Sequence, residues 1–294
     1  MIKLLAIIIC TFTLQSNLYA VEIYDYVDDW LSAKEAAEIQ NIYPAFYKYK
    51  AQKWSKQGLE PNKEVNKQFN SFETIKDTFV KKYHALKPII STALEDFKKH
   101  FPDMKGNNKI VLLHSLGELN GGIRVIDNEP IFLLGLDIMA KYHNWENDIP
   151  FFHHEFFHLY HKQKAGKQFG RGYIGDELWK EGVATYISEV MNKKATPSEM
   201  MLNIPPKLYE DCQKKIAGMS KELLPNLRTQ NDELYKKYFL LSSTDKFVPK
   251  RAGYCVGYLA VKKFGPKYSL RELSDLNFDI AIKKIELTLK GFVK

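Results

Sequence analysis

Apolar residues recur three or four apart along two early stretches of the chain. Phe69, Phe72, Ile75, Phe79 and Tyr83 form one stripe, and Ile89, Ile90, Leu94, Phe97 and Phe101 form a second, with Pro88 between them. Such spacing lines one face of an α-helix. Residues 21–106 are therefore expected to form a helical region, interrupted at Pro88 and by a polar loop over residues 57–67 that contains Pro61. An aromatic stripe of this kind is a core pattern rather than a cofactor site. The pattern changes after Gly106-Asn107-Asn108. Lys109–Leu113 (KIVLL) is a β-branched run and reads as a strand. Asn120-Gly121-Gly122 reads as a turn, and residues 123–126 and 131–134 flank Asp127-Asn128-Glu129-Pro130 as the arms of a hairpin. Helical spacing returns over residues 146–164, 177–192, 206–219, 231–241, 251–264 and 279–290. The expected fold class is α+β: a small sheet amid many helices, with a helical region at 21–106 and a second region at 107–294.

The first residues read differently. In MIKLLAIIICTFTLQSNLYA, Lys3 supplies a positive start, residues 4–14 an apolar run and Ala20 a small residue suited to cleavage. This is the pattern of a secretory signal peptide, residues 1–20, cut after Ala20. The apolar run is short for a membrane span, so a secreted or periplasmic protein with no stable span after cleavage is expected. The remaining cysteines, Cys212 and Cys255, could pair in an oxidising compartment or stay as two buried thiols, and the sequence leaves both open. No C-x-x-C occurs, which argues against cysteine-ligated zinc.

With 45% hydrophobic and 27% charged residues over 294 positions, collagen-like and disordered classes are excluded. The formal charge is +8, yet only five of the 43 basic residues are arginine and the lysines are scattered among acids. Readers of nucleic acid lean on clustered arginine. The charge is read as a solvated lysine surface, and no nucleic-acid partner is expected.

The chemistry concentrates in Phe151-Phe152-His153-His154-Glu155-Phe156-Phe157-His158-Leu159-Tyr160-His161. His154, Glu155 and His158 spell H-E-x-x-H. On a helix, residues four apart differ by about 40° in azimuth and about 6 Å in height, so both imidazoles can reach one zinc ion. Glu155 is offset by one residue and reaches a water rather than the metal, as a general base requires. The surrounding phenylalanines would bury these polar groups at a cost unless something pairs them. A hydrolytic zinc site needs a third protein ligand and an open fourth position. Glu181, 23 residues after His158 in Leu178-Trp179-Lys180-Glu181-Gly182-Val183-Ala184-Thr185-Tyr186, is the candidate, with Glu177 in reserve. Gly182 and Ala184 are small enough for this second helix to approach the first closely. His161 reads as a plain helix histidine or an outer partner of the site, and His153 as structural or substrate-facing. Gly170–Gly175 fits G-x-G-x-x-G, but it follows a helix and is read as a loop, with Asp176 capping the next helix.

At these residues the chain resembles the gluzincin metallopeptidases, which carry H-E-x-x-H on one helix and a glutamate, often followed by glycine, on a second. It is also similar to a group of small predicted zinc-dependent proteases with E-G-x-A-x-Y and a later G-Y-x-x-G-Y, present here as Glu181–Tyr186 and Gly253–Tyr258. The resemblance spans roughly residues 109–264. It implies a zincin-like fold, with a sheet edge strand beside the active-site helix. It implies His154, His158 and Glu181 as ligands of Zn2+, Glu155 as general base, and a peptide or protein substrate. It also points to Tyr254, beside Arg251 and Gly253, as donor to the oxyanion. Arg251 is read as a partner for either a substrate carboxylate or a surface acid. Where many gluzincins have an acid one turn after the third ligand, Thr185 stands here. The metzincin pattern fails at His161 and Lys164, so a three-histidine site is not expected. The reading that follows is an exported zinc metallopeptidase. Two alternatives stay open: a non-catalytic binding protein on a zincin scaffold, and a zinc hydrolase of another amide such as cell-wall peptide.

Overall fold

The computed structural model describes residues 22–105 and 109–294. The leader expected at 1–20 and the regional boundary expected at 106/107 thus lie outside the described residues. Four strands, β1 (Glu22–Asp25), β2 (Lys109–Leu113), β3 (Gly121–Ile126) and β4 (Glu129–Gly135), form one sheet in the order β1-β2-β4-β3. β2 is parallel to both of its neighbours, and β3 is antiparallel to β4. The central strands β2 and β4 are near-continuous buried apolar runs, as expected where both faces are covered. β3 is only half-buried and forms one edge of the sheet. Ile126 pairs with Glu129, so the hairpin closes through Asp127 and Asn128. Both have positive φ, 48° and 65°, the two-residue turn whose twist matches that of the strands it joins.

Thirteen α-helices accompany the sheet among the described residues, which makes the fold α+β. Before β2 come α1 (Val27–Ser32), α2 (Ile39–Ile42), α3 (Pro44–Lys56), α4 (Pro61–Phe72) and α5 (Lys76–His100). After β4 come α6 (Leu136–Tyr142), α7 (Ile149–Ala165), α8 (Ile174–Met191), α9 (Leu208–Leu223), α10 (Asp232–Phe239), α11 (Ala252–Phe264), α12 (Leu270–Ser274) and α13 (Phe278–Val293). Among the described residues no helix is long and apolar enough to cross a membrane.

Three expectations for the first hundred residues need correction. The polar stretch at 57–67 is not all loop, because Pro61 opens α4 instead of breaking it. A proline in the first turn has no missing partner, since that N–H would be unbonded in any case. Pro88 does not divide its helix either, and α5 runs through it for 25 residues. Finally, the region is not wholly helical: β1 pairs with β2, across the expected boundary. A fourth correction falls at 120–122, where Gly121 and Gly122 already belong to β3 rather than to a separate turn.

α7 is apolar nearly all round, and Phe151, Phe152, Phe156 and Phe157 are fully buried. Such a helix belongs inside the protein. Phe156 and Tyr160 meet Phe97 of α5, and Phe157 meets Phe101. Truncating one of these rings to alanine costs about 3–5 kcal/mol. α7 lies against α8, and α8 against α11. The α8–α11 crossing is made by two glycines. A Cβ on Gly182 would lie 2.3 Å from the carbonyl carbon of Gly257, and one on Gly257 would lie 2.2 Å from the Leu178 carbonyl oxygen. The small face of Gly182 therefore serves the contact with α11, not the expected approach to the H-E-x-x-H helix. Cys212 of α9 and Cys255 of α11 are joined by a disulfide, which resolves the alternative that the sequence left open.

Candidate metal centre

α7 begins at Asp148 and Pro150, and its sequence puts His154 and His158 one turn apart on the side that meets α8. α8 opens with Asp176, whose carboxylate accepts from the backbone N–H of Arg171 and Tyr173 at 2.8 and 3.3 Å. That is the capping role expected of Asp176, and the glycine-rich stretch is a loop as far as Tyr173, with Ile174 and Gly175 already in α8. From this start, α8 carries Glu181 to the two imidazoles. His154 Nε2 and His158 Nε2 are 3.0 Å apart, and each is 3.3 Å from Glu181 Oε2. Their three donor atoms form a group that could hold a metal ion.

Thr185 orients one of the imidazoles. Its hydroxyl donates to the Glu181 carbonyl at 2.8 Å, so the same oxygen accepts from His154 Nδ1–H at 3.3 Å. This fixes the tautomer and leaves the Nε2 lone pair facing the cluster. Burial holds His154 down to about 4, hence neutral. Burial also opposes the charge on Glu181, but His158 and His154 outweigh it and hold this carboxyl well below its ordinary range. His158 shows the same balance: burial acts against its charge, and Glu181 raises it nonetheless.

Glu155 is 6% exposed, and burial pushes its carboxyl up to about 7. A strand passes beside it because Gly121 has no side chain. A Cβ there would lie 2.6 Å from the Phe151 ring and 3.3 Å from Glu155 Cγ and Cδ. The start of the edge strand β3 is thus held against the helix that carries the histidines.

A cleft of about 510 Å³ opens over these groups, with His154, Glu155, Glu181 and Tyr254 in its wall. Tyr254 reaches it from α11, three residues before Gly257, at the crossing with α8. Burial raises its hydroxyl well above the ordinary tyrosine value, and the Glu181 carboxylate adds to this. The other two tyrosines of the E-G-x-A-x-Y and G-Y-x-x-G-Y stretches differ: the Tyr258 hydroxyl accepts from Lys262 Nζ at 2.8 Å, and the ring of Tyr186 packs against Gly265.

No protein-family model matches this chain, and no curated protein or solved structure matches it either. The likeness to gluzincins is carried by the motif residues alone.

The structure leaves several sequence candidates out of the cluster. Glu177 pairs with Lys180 at 2.5 Å. His161 is buried, accepts weakly from Trp179 Nε1 at 3.4 Å and lies against Phe157. His153 accepts from Asn192 Nδ2 at 2.8 Å, a structural contact between α7 and α8. Other residues of the cleft were missed from sequence. Asn120 and Gly121 showed only a turn signal, Arg124 only a count of arginines, and Tyr235 no signal at all. Asn120 is held by a buried chain: Gly121 N–H donates to its Oδ1 at 2.9 Å, and its Nδ2 donates to His143 Nε2 at 3.1 Å. His143 Nδ1–H in turn donates to Asp148 at 3.0 Å.

Proposed function

We propose that this chain is an exported, zinc-dependent metallopeptidase with a zincin-like fold. The observation that carries the reading is the meeting of His154, His158 and Glu181, with Glu155 on the helix of the two histidines and His154, Glu155 and Glu181 bordering one cleft. The donor set is nitrogen, nitrogen and oxygen, which suits zinc in a hydrolytic site. Tetrahedral zinc at about 2.0–2.1 Å from its ligands sets those ligands about 3.3 Å apart, against 3.0, 3.3 and 3.3 Å here. A zinc ion in this place supplies Lewis-acid chemistry, polarising a carbonyl and acidifying water.

The remaining steps belong to the chain. Glu155, buried and raised, takes a proton from the attacking water as its oxygen bonds to the peptide carbonyl carbon. As the C–N bond breaks, Glu155 delivers that proton to the leaving nitrogen. The Tyr254 hydroxyl donates to the oxygen on which negative charge develops. The free edge of β3, drawn close by Gly121, offers backbone N–H and C=O groups to an extended peptide. Export is supported by the disulfide between Cys212 and Cys255, since such bonds persist in oxidising compartments, and by the leader pattern at 1–20.

The test is a pair of variants assayed on a mixed peptide library with parallel zinc analysis. Glu155→Gln is expected to keep zinc and to lose roughly 10²–10⁴-fold in hydrolysis. Tyr254→Phe is expected to keep zinc and stability and to lose about 10- to 1,000-fold in kcat, more than it changes KM. Full activity in Glu155→Gln on a peptide that the wild type cleaves overturns the reading.

A further inference from the structure

Arg251 is a cation in the cleft with no ion-pair partner among the described residues. It stands at the N-cap of α11 with φ 59° and ψ 21°, a left-handed conformation uncommon for a residue with a Cβ. Its guanidinium stacks 4.0 Å above the centroid of the Tyr254 ring. One nitrogen donates to the Ile204 carbonyl at a long 3.4 Å. Among the described residues no carboxylate lies within ion-pair distance of it.

Apart from Glu155, the other charged groups of the cleft are paired. Arg124 Nε pairs with Glu118 at 3.2 Å, and Glu118 also takes Lys50 at 2.9 Å and Lys53 at 2.7 Å. Three cations share that one carboxylate, so this wall of the cleft is itself in positive excess. Glu181 is held by the two histidines. Arg251 is left over, in the same cleft as Glu155 and Tyr254.

Its geometry suits a particular ligand. Stacking on a ring covers one face of the guanidinium, and apart from the long bond to the Ile204 carbonyl and the contact with Tyr254 its N–H donors have no protein acceptor among the described residues. A planar fork held in one orientation matches the two oxygens of a carboxylate. We propose that Arg251 is the docking group for a carboxylate of the substrate, either the terminal carboxylate of a peptide or the side chain of an aspartate or glutamate within it. This deepens the peptidase reading and rests on it for the identity of the ligand as a peptide.

The experiment uses four matched fluorescent peptides, each ending in a free acid or an amide and each with glutamate or glutamine inside. Binding is measured by anisotropy on the full chain carrying Glu155→Gln, so that turnover does not interfere. Arg251→Gln and Arg251→Lys are made on that background, and cleavage by the wild type is followed in parallel. A carboxylate-bearing peptide is expected to bind about 10- to 100-fold more tightly than its neutral match, as a charge-assisted bond implies. Arg251→Gln should abolish that preference, bringing each carboxylate-bearing peptide to the affinity of its neutral match on the same variant. A preference carried by the acid–amide contrast assigns the terminal carboxylate, and one carried by glutamate against glutamine assigns a side chain. Equal binding of all four peptides, or a preference that survives Arg251→Gln, overturns the proposal. If Arg251→Gln fails to fold, Arg251→Lys decides: loss of most of the preference supports the fork, and an unaltered preference overturns it. Cleavage without any carboxylate preference removes this inference and leaves the peptidase standing. Carboxylate binding through Arg251 with no peptide cleaved by the wild type does the reverse.

Discussion

Asp148 at the start of α7 and Glu181 on α8 are both carboxylates set against imidazoles, and what holds each group together differs. Around Asp148 each contact carries a proton. Lys82 Nζ donates at 2.9 Å and His143 Nδ1 at 3.0 Å, while His143 Nε2 accepts from Asn120. Around Glu181, the Nε2 atoms of His154 and His158 converge on one carboxylate oxygen, and Thr185 turns the His154 lone pair inward. The first network is closed by its own hydrogens, and the second is a set of donor atoms that a cation would complete. Nearness of histidine to carboxylate therefore does not mark a metal site. What separates the two is the face the tautomer presents: the His143 proton points at Asp148, whereas Thr185 takes the His154 proton and leaves a lone pair toward Glu181.

Different responses in the two networks give the largest expected effects. Asp148→Ala strands the buried Lys82 charge and should lower stability by about 3–5 kcal/mol, with or without metal, in urea unfolding. His158→Ala removes one of the two imidazoles that hold the buried Glu181 ionised, so some stability is lost from the metal-free protein too. It should abolish the gain from added zinc, which for the wild type is about 4 kcal/mol at a thousandfold excess over Kd. Equal stabilisation of both proteins by zinc would erase the distinction.

A second contrast of this kind lies at Glu118, closed by Lys50, Lys53, Arg124 and the Tyr49 hydroxyl. Burial opposes its ionisation, but the lysines hold its carboxyl down to about 2. A depressed carboxylate contributes stability that is fully present above its unfolded value of about 4.5 and is lost as the pH falls toward 2. Burial also pulls Lys50 down, so the net contribution is taken as about 2 kcal/mol. Unfolding curves between pH 2 and 6 should steepen on the acid side in the wild type and flatten in Glu118→Gln. Parallel curves would show that this cluster does not behave as a closed one.

The smallest effect is expected at Thr185. Thr185→Val keeps the shape and removes the acceptor for His154 Nδ1–H, so zinc affinity should fall by about 10- to 100-fold. Competition with a chelator of known affinity measures it. An unchanged affinity would mean that the backbone alone sets the His154 ring.

How much of this was legible beforehand follows from where the information lies. The helices from α7 onward, α12 excepted, announced themselves by apolar spacing, and H-E-x-x-H with Glu181 by residue type at fixed separations. β1 was invisible because Glu22-Ile23-Tyr24-Asp25 is mostly exposed and acquires its conformation by pairing with β2. α4 and the continuity of α5 were misread because proline was taken as a breaker at both Pro61 and Pro88. A proline's effect depends on which turn it occupies, and the local sequence does not state that. The short helices α6 and α12 have too few residues to show a period. The Cys212–Cys255 pairing, the partner of Gly182 and the unmatched charge of Arg251 are facts of distant neighbours. No window along the chain contains them.

Gly182 and Gly257 bear on how such a chain can change over generations. What a methyl group would strike at either position is main chain, not a side chain that could be traded for a smaller one. No compensating substitution exists nearby, so neither position can drift while the helices keep their crossing. The phenylalanines of α7 are under a looser rule, since apolar residues of similar volume can replace one another in a core at modest cost. A distant relation that has exchanged most of its aromatic residues should therefore still carry this pair of glycines. Searched for together with the histidines and Glu181, they form a signature more discriminating than the five-residue zinc motif alone.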